Sequence, residues 1–192
     1  MNSDQRRRSD LTAPISAVDH VLGPEHAPVS VVEYGDFECP SCKQAAPEVE
    51  ILLNRFENRI RFAYRHFPLE EVHPHALQAA EAAECAGAQS RFWEMHELLF
   101  AHQTHLDLRH LQGYAEQLGL DMARYTAEMD DHVYLQRVRE HIDSAKRSGV
   151  RGTPGFFVDG MILDVSFGFG SLIEATEAAF KGALNDPKRG HT

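Results

Sequence analysis

Residues 33–50, EYGDFECPSCKQAAPEVE, join the end of an apolar stretch to the start of a helical pattern. The apolar stretch, PVSVVEYG at 28–35, is rich in β-branched residues and bounded by proline and glycine, which is typical of a short buried strand. From Pro40 to about Asn58, apolar residues recur every three or four positions, which predicts a helix. The strand should therefore deliver Cys39 to the first turn of that helix.

A second strand is predicted downstream, because RIRFAYRHF at 59–67 alternates apolar and polar residues. Two strands joined by a helix are expected to be parallel, with a right-handed crossover. The carboxyl ends of both strands then lie at the same edge of the sheet, which is the reactive edge of an open α/β fold.

The rest of the chain divides into a helical block and a second set of strands. Residues 74–148 show only helical patterns, including an alanine-rich helix and a helix that Ser90 is expected to cap. Two short apolar runs follow at 152–167, and Asp159-Gly160 between them is a strong hairpin signal. A last amphipathic helix is predicted at about 170–183. This order predicts an α/β fold in which both ends of the chain form one sheet and the middle is an all-helical insertion.

Composition bounds the class of protein. The 192 residues suffice for one domain with a sizeable core, and 43% of them are hydrophobic. With 29 acidic residues against 19 Lys and Arg, the net charge is -10, which disfavours nucleic acid as a partner. No apolar run approaches the roughly 18 residues that cross a membrane. Because the N-terminus lacks the apolar region of a signal peptide, we expect a cytoplasmic protein, or a periplasmic one if an export signal was removed.

The three cysteines are too few to form a disulfide scaffold in a chain of this size. Cys39 is expected at the N-terminus of a helix, where unpaired backbone N–H groups and the helix dipole favour its thiolate. Pro40 suits the first helical position, where a missing N–H costs nothing. Cys42 follows one turn later, within disulfide reach. The pair predicts one exposed nucleophile with a lowered pKa and one sheltered resolving thiol.

Two further features support redox chemistry. Glu33 lies in the middle of the first strand, where burial should raise its pKa and let it exchange a proton with Cys42. A purely structural acid, satisfied by a backbone donor or by Lys43, is the alternative. Thr153-Pro154 comes just before a later strand, where an X-Pro bond can be cis and can present backbone groups to an extended peptide. A trans proline that merely begins the strand is the alternative.

Four segments, GPEHAPVSVVEYGDFECPSC, RHFPL, AAECAGAQSRFWEMHELLF and GVRGTPGFFVDG, cover most of residues 20–160. Together they resemble the DsbA-like branch of the thioredoxin superfamily. The resemblance implies a thioredoxin fold, in which a central mixed sheet is flanked by helices, with an all-helical insertion. The expected parts are a thioredoxin-like domain at 15–68 and 149–184, an insertion at 69–148, and flexible termini at 1–14 and 185–192.

The resemblance also implies a thiol-disulfide oxidoreductase in which Cys39 attacks, Cys42 resolves and Glu33 carries protons. Neither a cofactor nor a metal is implied, since the redox equivalents reside in the cysteine pair. The expected partners are cysteine-containing protein or peptide substrates and an unidentified redox partner, and a monomer is favoured. The best-known periplasmic members carry histidine at the position of Ser41. Residues expected to contact the substrate are Pro40, Ser41, Thr153 and Pro154.

Other functions remain open at this point. The cysteine pair could be a zinc half-site that His73 and His75 complete. On the same fold, a glutathione-dependent transferase or isomerase is an alternative enzyme, and a peptide-binding or holdase module is a non-catalytic one. Cys85 falls opposite the small residues of its helix, which argues against the inner core of that helix, although a helix covered on both sides would still bury it. We interpret it as a structural thiol rather than a regulatory or auxiliary one. His96 lies in an apolar stripe and is predicted to be a hydrogen-bonded core histidine.

Overall fold

The computed structural model describes residues 10–166 and 168–184. The terminal segments expected to be flexible fall partly outside this range, at 1–9 and 185–192, and so does Phe167. The strands are β1 (His20–Leu22), β2 (Val29–Gly35), β3 (Ile60–His66), β4 (Gly155–Val158) and β5 (Met161–Leu163). The helices are α1 (Pro40–Arg55), α2 (Ala76–Gly87), α3 (Phe92–Ala101), α4 (Leu108–Gln117), α5 (Met122–Asp130), α6 (Leu135–Arg147) and α7 (Gly170–Leu184).

The described strands form one mixed sheet in the order β1-β3-β2-β4-β5. Strands β2 and β3 are parallel, which confirms the predicted βαβ unit, and Gly35 is paired with His66 at their carboxyl ends. Strands β4 and β5 form the predicted hairpin, with Asp159 and Gly160 at φ 47 and 77 in its turn. Strand β1, which pairs antiparallel with β3, was not predicted, because three residues are too few to show a pattern.

The two faces of the sheet are covered by different parts of the chain. On one face, alternate residues such as Val31, Tyr64 and Phe156 join a large core with α1, α7 and the helices that follow β3. On the other face, Tyr34 and Phe157 pack with residues of α6 and of the N-terminal segment. Because β2 and β3 are covered on both sides, they are almost wholly buried, as expected for central parallel strands.

Two helix starts differ from the sequence prediction. Ser90 does not cap α3, because it lies in a turn with φ 61 and Arg91 occupies the N-cap. The sequence pattern also predicts a helix from Asp131 to Gly149, but a turn with His132 at φ 50 follows α5, and α6 begins at Leu135. Both turns contain polar residues in the left-handed region, which short-range sequence signals do not distinguish from a helix start.

Residues 10–14 pack onto the folded domain, although the sequence places its boundary at residue 15. Leu11 is buried in the core formed with α6. The Arg65 guanidinium, itself buried, donates a hydrogen bond of 2.9 Å to the carbonyl oxygen of Pro14. The folded unit therefore includes residues of the segment 1–14, which was expected to be a flexible terminus.

Candidate active site

Cys39 occupies the N-cap of α1, where β2 has just ended. Its backbone is extended, with φ -75 and ψ 121, and Pro40 follows in the first turn. The Cys42 thiol donates a hydrogen bond to the Cys39 sulfur, and this contact lowers the pKa of Cys39 from 9.0 to about 5, helped by the backbone N–H groups of Ser41 and Cys42. Cys39 is only 7% exposed, so the expected nucleophile is less accessible than predicted.

Cys42 is fully buried one turn along α1. The two cysteine side chains are adjacent, 3.9 Å apart, and both are free thiols. Burial raises the pKa of Cys42 well above its usual value, and its hydrogen bond to Cys39 raises it further. The Asp36 backbone N–H donates to the Cys42 sulfur over 3.4 Å. The two thiols therefore differ sharply in acidity, since one is held as a thiolate and the other as a protonated thiol.

Glu33 lies behind this pair on β2 and is 3% exposed. Burial, and then the nearby charge of Cys39, raise the pKa of Glu33 from 4.5 to about 8. Lys43, the partner considered from the sequence, instead donates to the carbonyl oxygen of Ala101. A carboxyl group with this pKa can take up or release a proton near neutral pH.

The Thr153-Pro154 peptide bond is cis, and it lies beside Cys39. The Cys39 sulfur is 3.4 Å from the Thr153 carbonyl oxygen. Ser41, Thr153 and Pro154 line an open groove of about 700 Å³ that also contains residues of β5 and of the turn before α7. Pro40 is exposed at the start of α1 and does not line this groove.

Two carboxylates tie the Cys39 segment to the loop after β3. The buried Asp36 accepts a hydrogen bond of 2.8 Å from His73 Nδ1, and Glu38 accepts one of 2.9 Å from His75 Nδ1. These histidines therefore face carboxylates, rather than the cysteine sulfurs that a zinc half-site would require. A single group of described residues has ligand atoms close enough to hold a metal ion, and it consists of His66, Glu84 and His141.

The negative charge of Glu84 in that buried group is balanced by neighbouring side chains. The Glu84 carboxylate accepts hydrogen bonds from His66, His20 and Arg137. Burial by itself would raise the pKa of Glu84, but the hydrogen bonds and charges of His20 and His66 outweigh that effect and lower it. A cation is already supplied by Arg137, so the group acts as an internal ion-pair network that anchors α2 and α6 under β3.

The helical insertion also contacts the active-site segment. Gln103, which follows α3, donates from its side-chain amide to the carbonyl oxygens of Phe37 and Cys39, over 2.9 and 2.8 Å. Sequence reasoning missed Asp36 and Gln103, because their contacts join residues that are far apart in the chain. The HPH motif at 73–75 is a sequence signal for part of this arrangement, but its pattern alone also fits a zinc half-site.

Cys85 is fully buried in the large core, contrary to its position on the helical wheel. Helices on both sides of α2 cover it, so the face opposite the small residues is also internal. Burial raises the pKa of Cys85 to about 12, which makes its thiolate scarce at neutral pH. This supports the interpretation of Cys85 as a structural thiol.

Comparisons with known proteins agree with this arrangement. A family profile described as "Thioredoxin" matches residues 16–177. The structure is similar to oxidised BdbD from Bacillus subtilis, with a TM-score of 0.77, 23% identity, and coverage of 85% of this chain and 94% of that one. It is also similar to alpha-DsbA1 from Wolbachia pipientis, with a TM-score of 0.76, 19% identity, and coverage of 92% and 98%. The profile match and the structural matches confirm the predicted thioredoxin fold.

One relative is named as an ion transporter rather than as a redox protein. The protein named Na(+)/H(+) antiporter NhaA 1 from Salinispora arenicola is 50% identical over 180 residues, which is 93% of this chain. The matched region makes up 28% of that relative, so this chain spans little more than a quarter of its length. Within residues 10–166 and 168–184, no helix combines the length and apolar character needed to cross a membrane.

Proposed function

The chain belongs to the thioredoxin family, and on that premise we propose that it is a thiol-disulfide oxidoreductase acting on cysteines of protein or peptide substrates. The observation that carries the proposal is the opposite pKa perturbation of two adjacent thiols. The pKa of Cys39 is lowered to about 5, whereas that of Cys42 is raised. Such a pair separates an attacking sulfur from a resolving one.

In the reducing direction, the Cys39 thiolate attacks one sulfur of a substrate disulfide. The disulfide breaks, a mixed disulfide forms at Cys39, and the other substrate sulfur leaves as a thiolate. Cys42 then loses its proton and attacks the Cys39 sulfur, which forms the Cys39–Cys42 disulfide and releases the second substrate sulfur. The substrate gains two electrons and the protein loses two; oxidation of a dithiol is the reverse sequence.

Glu33 is suited to accept the proton of Cys42 at the second step. The charge of the Cys39 thiolate is one cause of the raised pKa of Glu33. Formation of the mixed disulfide removes that charge, so the pKa of Glu33 falls and its carboxylate becomes available as a base. Proton acceptance is therefore coupled to the presence of bound substrate.

The groove beside Cys39 is suited to an extended peptide. Ser41, Thr153 and Pro154 lie along it, next to the reactive sulfur. Backbone groups at such a position can pair with the main chain of a substrate, which gives affinity with little dependence on sequence. A glutathione-dependent transferase or a non-catalytic peptide-binding module would need no second, buried thiol. Since the segment shared with the antiporter relative contains this thiol pair and groove, we assign redox chemistry rather than ion transport to it.

Reduction of insulin with dithiothreitol as electron donor tests the proposal. The wild-type protein should accelerate the reaction, and a variant with both Cys39→Ser and Cys42→Ser should not. Cys42→Ser alone should accumulate a mixed disulfide at Cys39 that mass spectrometry detects. Equal rates for the wild type and the double variant would refute an oxidoreductase and leave a peptide-binding module.

A further inference from the structure

Tyr64 carries a buried hydroxyl group without a partner. The residue is fully buried on β3, and its hydroxyl oxygen makes no hydrogen bond to any described residue. A buried polar group is normally paired, because the loss of its hydrogen bonds to water costs free energy. An unpaired one next to a reactive site therefore calls for a functional explanation.

The hydroxyl packs against the end of β2, next to the backbone that contacts the Cys42 sulfur. Tyr64 is paired with Glu33 in the parallel ladder, so both side chains project from the same face of the sheet. A Cβ atom placed on Gly35 would be 2.6 Å from the Tyr64 hydroxyl oxygen. The next residue, Asp36, is the one whose N–H donates to the Cys42 sulfur. The Tyr64 hydroxyl and the Cys42 sulfur thus flank the same two residues of the backbone.

The ring of Tyr64 is held firmly in this position. It stacks on Phe37 at a centroid distance of 5.3 Å, and the His96 ring packs perpendicular to it at 4.7 Å. His96 is a neutral neighbour, because burial lowers its pKa to about 3. Burial, and next the charges of Cys42 and Glu33, raise the pKa of Tyr64 well above its usual value, so the phenol keeps its proton and remains a donor.

We infer that the Tyr64 hydroxyl is a catalytic donor that stabilises the Cys42 thiolate whenever that thiolate forms. The inference rests on the proposed function, in which Cys42 is a thiolate both when it attacks Cys39 and when it leaves Cys39. In the dithiol state the Cys42 sulfur is uncharged and already accepts a hydrogen bond from the Asp36 backbone N–H, so the hydrogen bond from Tyr64 is one that forms with the thiolate. Tyr64 keeps its proton throughout, while Glu33 takes the proton of Cys42.

Tyr64→Phe removes the hydroxyl and nothing else. Tyr34→Phe is the matched control, because Tyr34 is equally buried on the neighbouring strand but faces the other side of the sheet. Its hydroxyl is fully engaged with Ser144 at 2.7 Å and with Arg65 at 3.0 Å. The control should lower the stability of the protein without changing the chemistry of Cys42.

The measurement uses reduced protein mixed with an equimolar amount of 5,5′-dithiobis(2-nitrobenzoate) in a stopped-flow spectrometer. Attack by Cys39 releases the first nitrothiobenzoate, and attack by Cys42 on the mixed disulfide releases the second. In Tyr64→Phe the first phase should be unchanged and the second slower by roughly ten-fold to a hundred-fold, the range expected for a hydrogen bond to a charged group. The midpoint of urea unfolding should be unchanged or higher, since the lost hydroxyl had no partner.

The outcomes separate this inference from the function on which it depends. If wild-type protein gives no second phase, the proposed oxidoreductase fails. If wild type gives both phases and Tyr64→Phe matches it in the second, the inference about Tyr64 is overturned. A Tyr64→Phe protein that does not fold overturns it as well, because the hydroxyl would then have a structural role.

Discussion

Glu33→Gln should stabilise the protein increasingly as the pH rises from 5 to 8. Burial holds the pKa of Glu33 at about 8, against 4.5 for an ordinary glutamate. Between these values the folded protein keeps a proton that the unfolded chain has lost, so the free energy of unfolding falls with rising pH. At about 1.36 kcal/mol per pH unit, the wild type loses roughly 3 to 4 kcal/mol between pH 5 and pH 8 through this residue. Glutamine does not titrate, so the variant avoids that loss.

The contribution of Cys39 to the free energy of unfolding has the opposite pH dependence, so the experiment must separate it from the contribution of Glu33. Its folded pKa is lowered to about 5, so the stability it contributes is present at high pH and is lost as the pH falls through 5. Because wild type and variant share Cys39, the difference between their free energies of unfolding at each pH removes this contribution to first order. Repeating the series on the disulfide form removes the Cys39 contribution fully, but the difference should then widen less, because loss of the Cys39 charge also lowers the pKa of Glu33.

Urea unfolding of the reduced proteins at pH 5, 6, 7 and 8 gives the required free energies. The difference between Glu33→Gln and wild type should widen by roughly 3 to 4 kcal/mol across the series. Glu57→Gln, a substitution at an exposed glutamate, is the control and should show a constant difference. A difference for Glu33→Gln that stays constant within about 0.5 kcal/mol would refute the argument that Glu33 is protonated in the folded protein at neutral pH.

The remaining predictions concern the active-site segment. In reduced protein, iodoacetamide should modify Cys39 far faster than Cys42, with a half-maximal rate near pH 5; equal rates, or faster modification of Cys42, in peptide mapping would contradict the assigned roles. The reduction potential should lie at roughly -150 to -250 mV, and Ser41→His should move it toward the oxidising end in a glutathione titration; an unchanged value would place the control of the potential elsewhere. Gln103→Leu should lower the free energy of unfolding by about 1 to 3 kcal/mol and slow insulin reduction, whereas wild-type behaviour in both assays would make its two hydrogen bonds dispensable.

The parts of the fold that sequence predicted are those fixed by local patterns. The parallel pair around α1 and the hairpin at Asp159-Gly160 follow from residues close together in the chain, and they carry Cys39 to its position. Strand β1 gave no local signal, because three residues take their extended form from pairing with β3. The prediction that Ser90 caps α3 was wrong, because a residue that suits a helix N-cap can also lie in a left-handed turn.

Of the candidate site, only the two cysteines and Glu33 could be predicted from the sequence. Cys39 and Cys42 follow from spacing, and the raised pKa of Glu33 follows from its place in a central strand. Tyr64 is also in a central strand, but the surrounding amino-acid sequence does not show that the Tyr64 hydroxyl lacks a hydrogen-bond partner. The hydrogen bonds from Gln103 to Phe37 and Cys39 join residues that are 66 and 64 positions apart, and short-range periodicity contains no information about such contacts.

The bonds from Gln103 limit how this protein can be re-engineered. A helical insertion in a thioredoxin fold can be treated as a module that is exchanged in order to change substrate specificity. Here the insertion supplies the donor for two main-chain carbonyls that immediately precede the reactive helix. A chimaera that carries a different helical block would have to provide an amide at the same point in space, so transplanting the block alone would alter the chemistry as well as the choice of substrate.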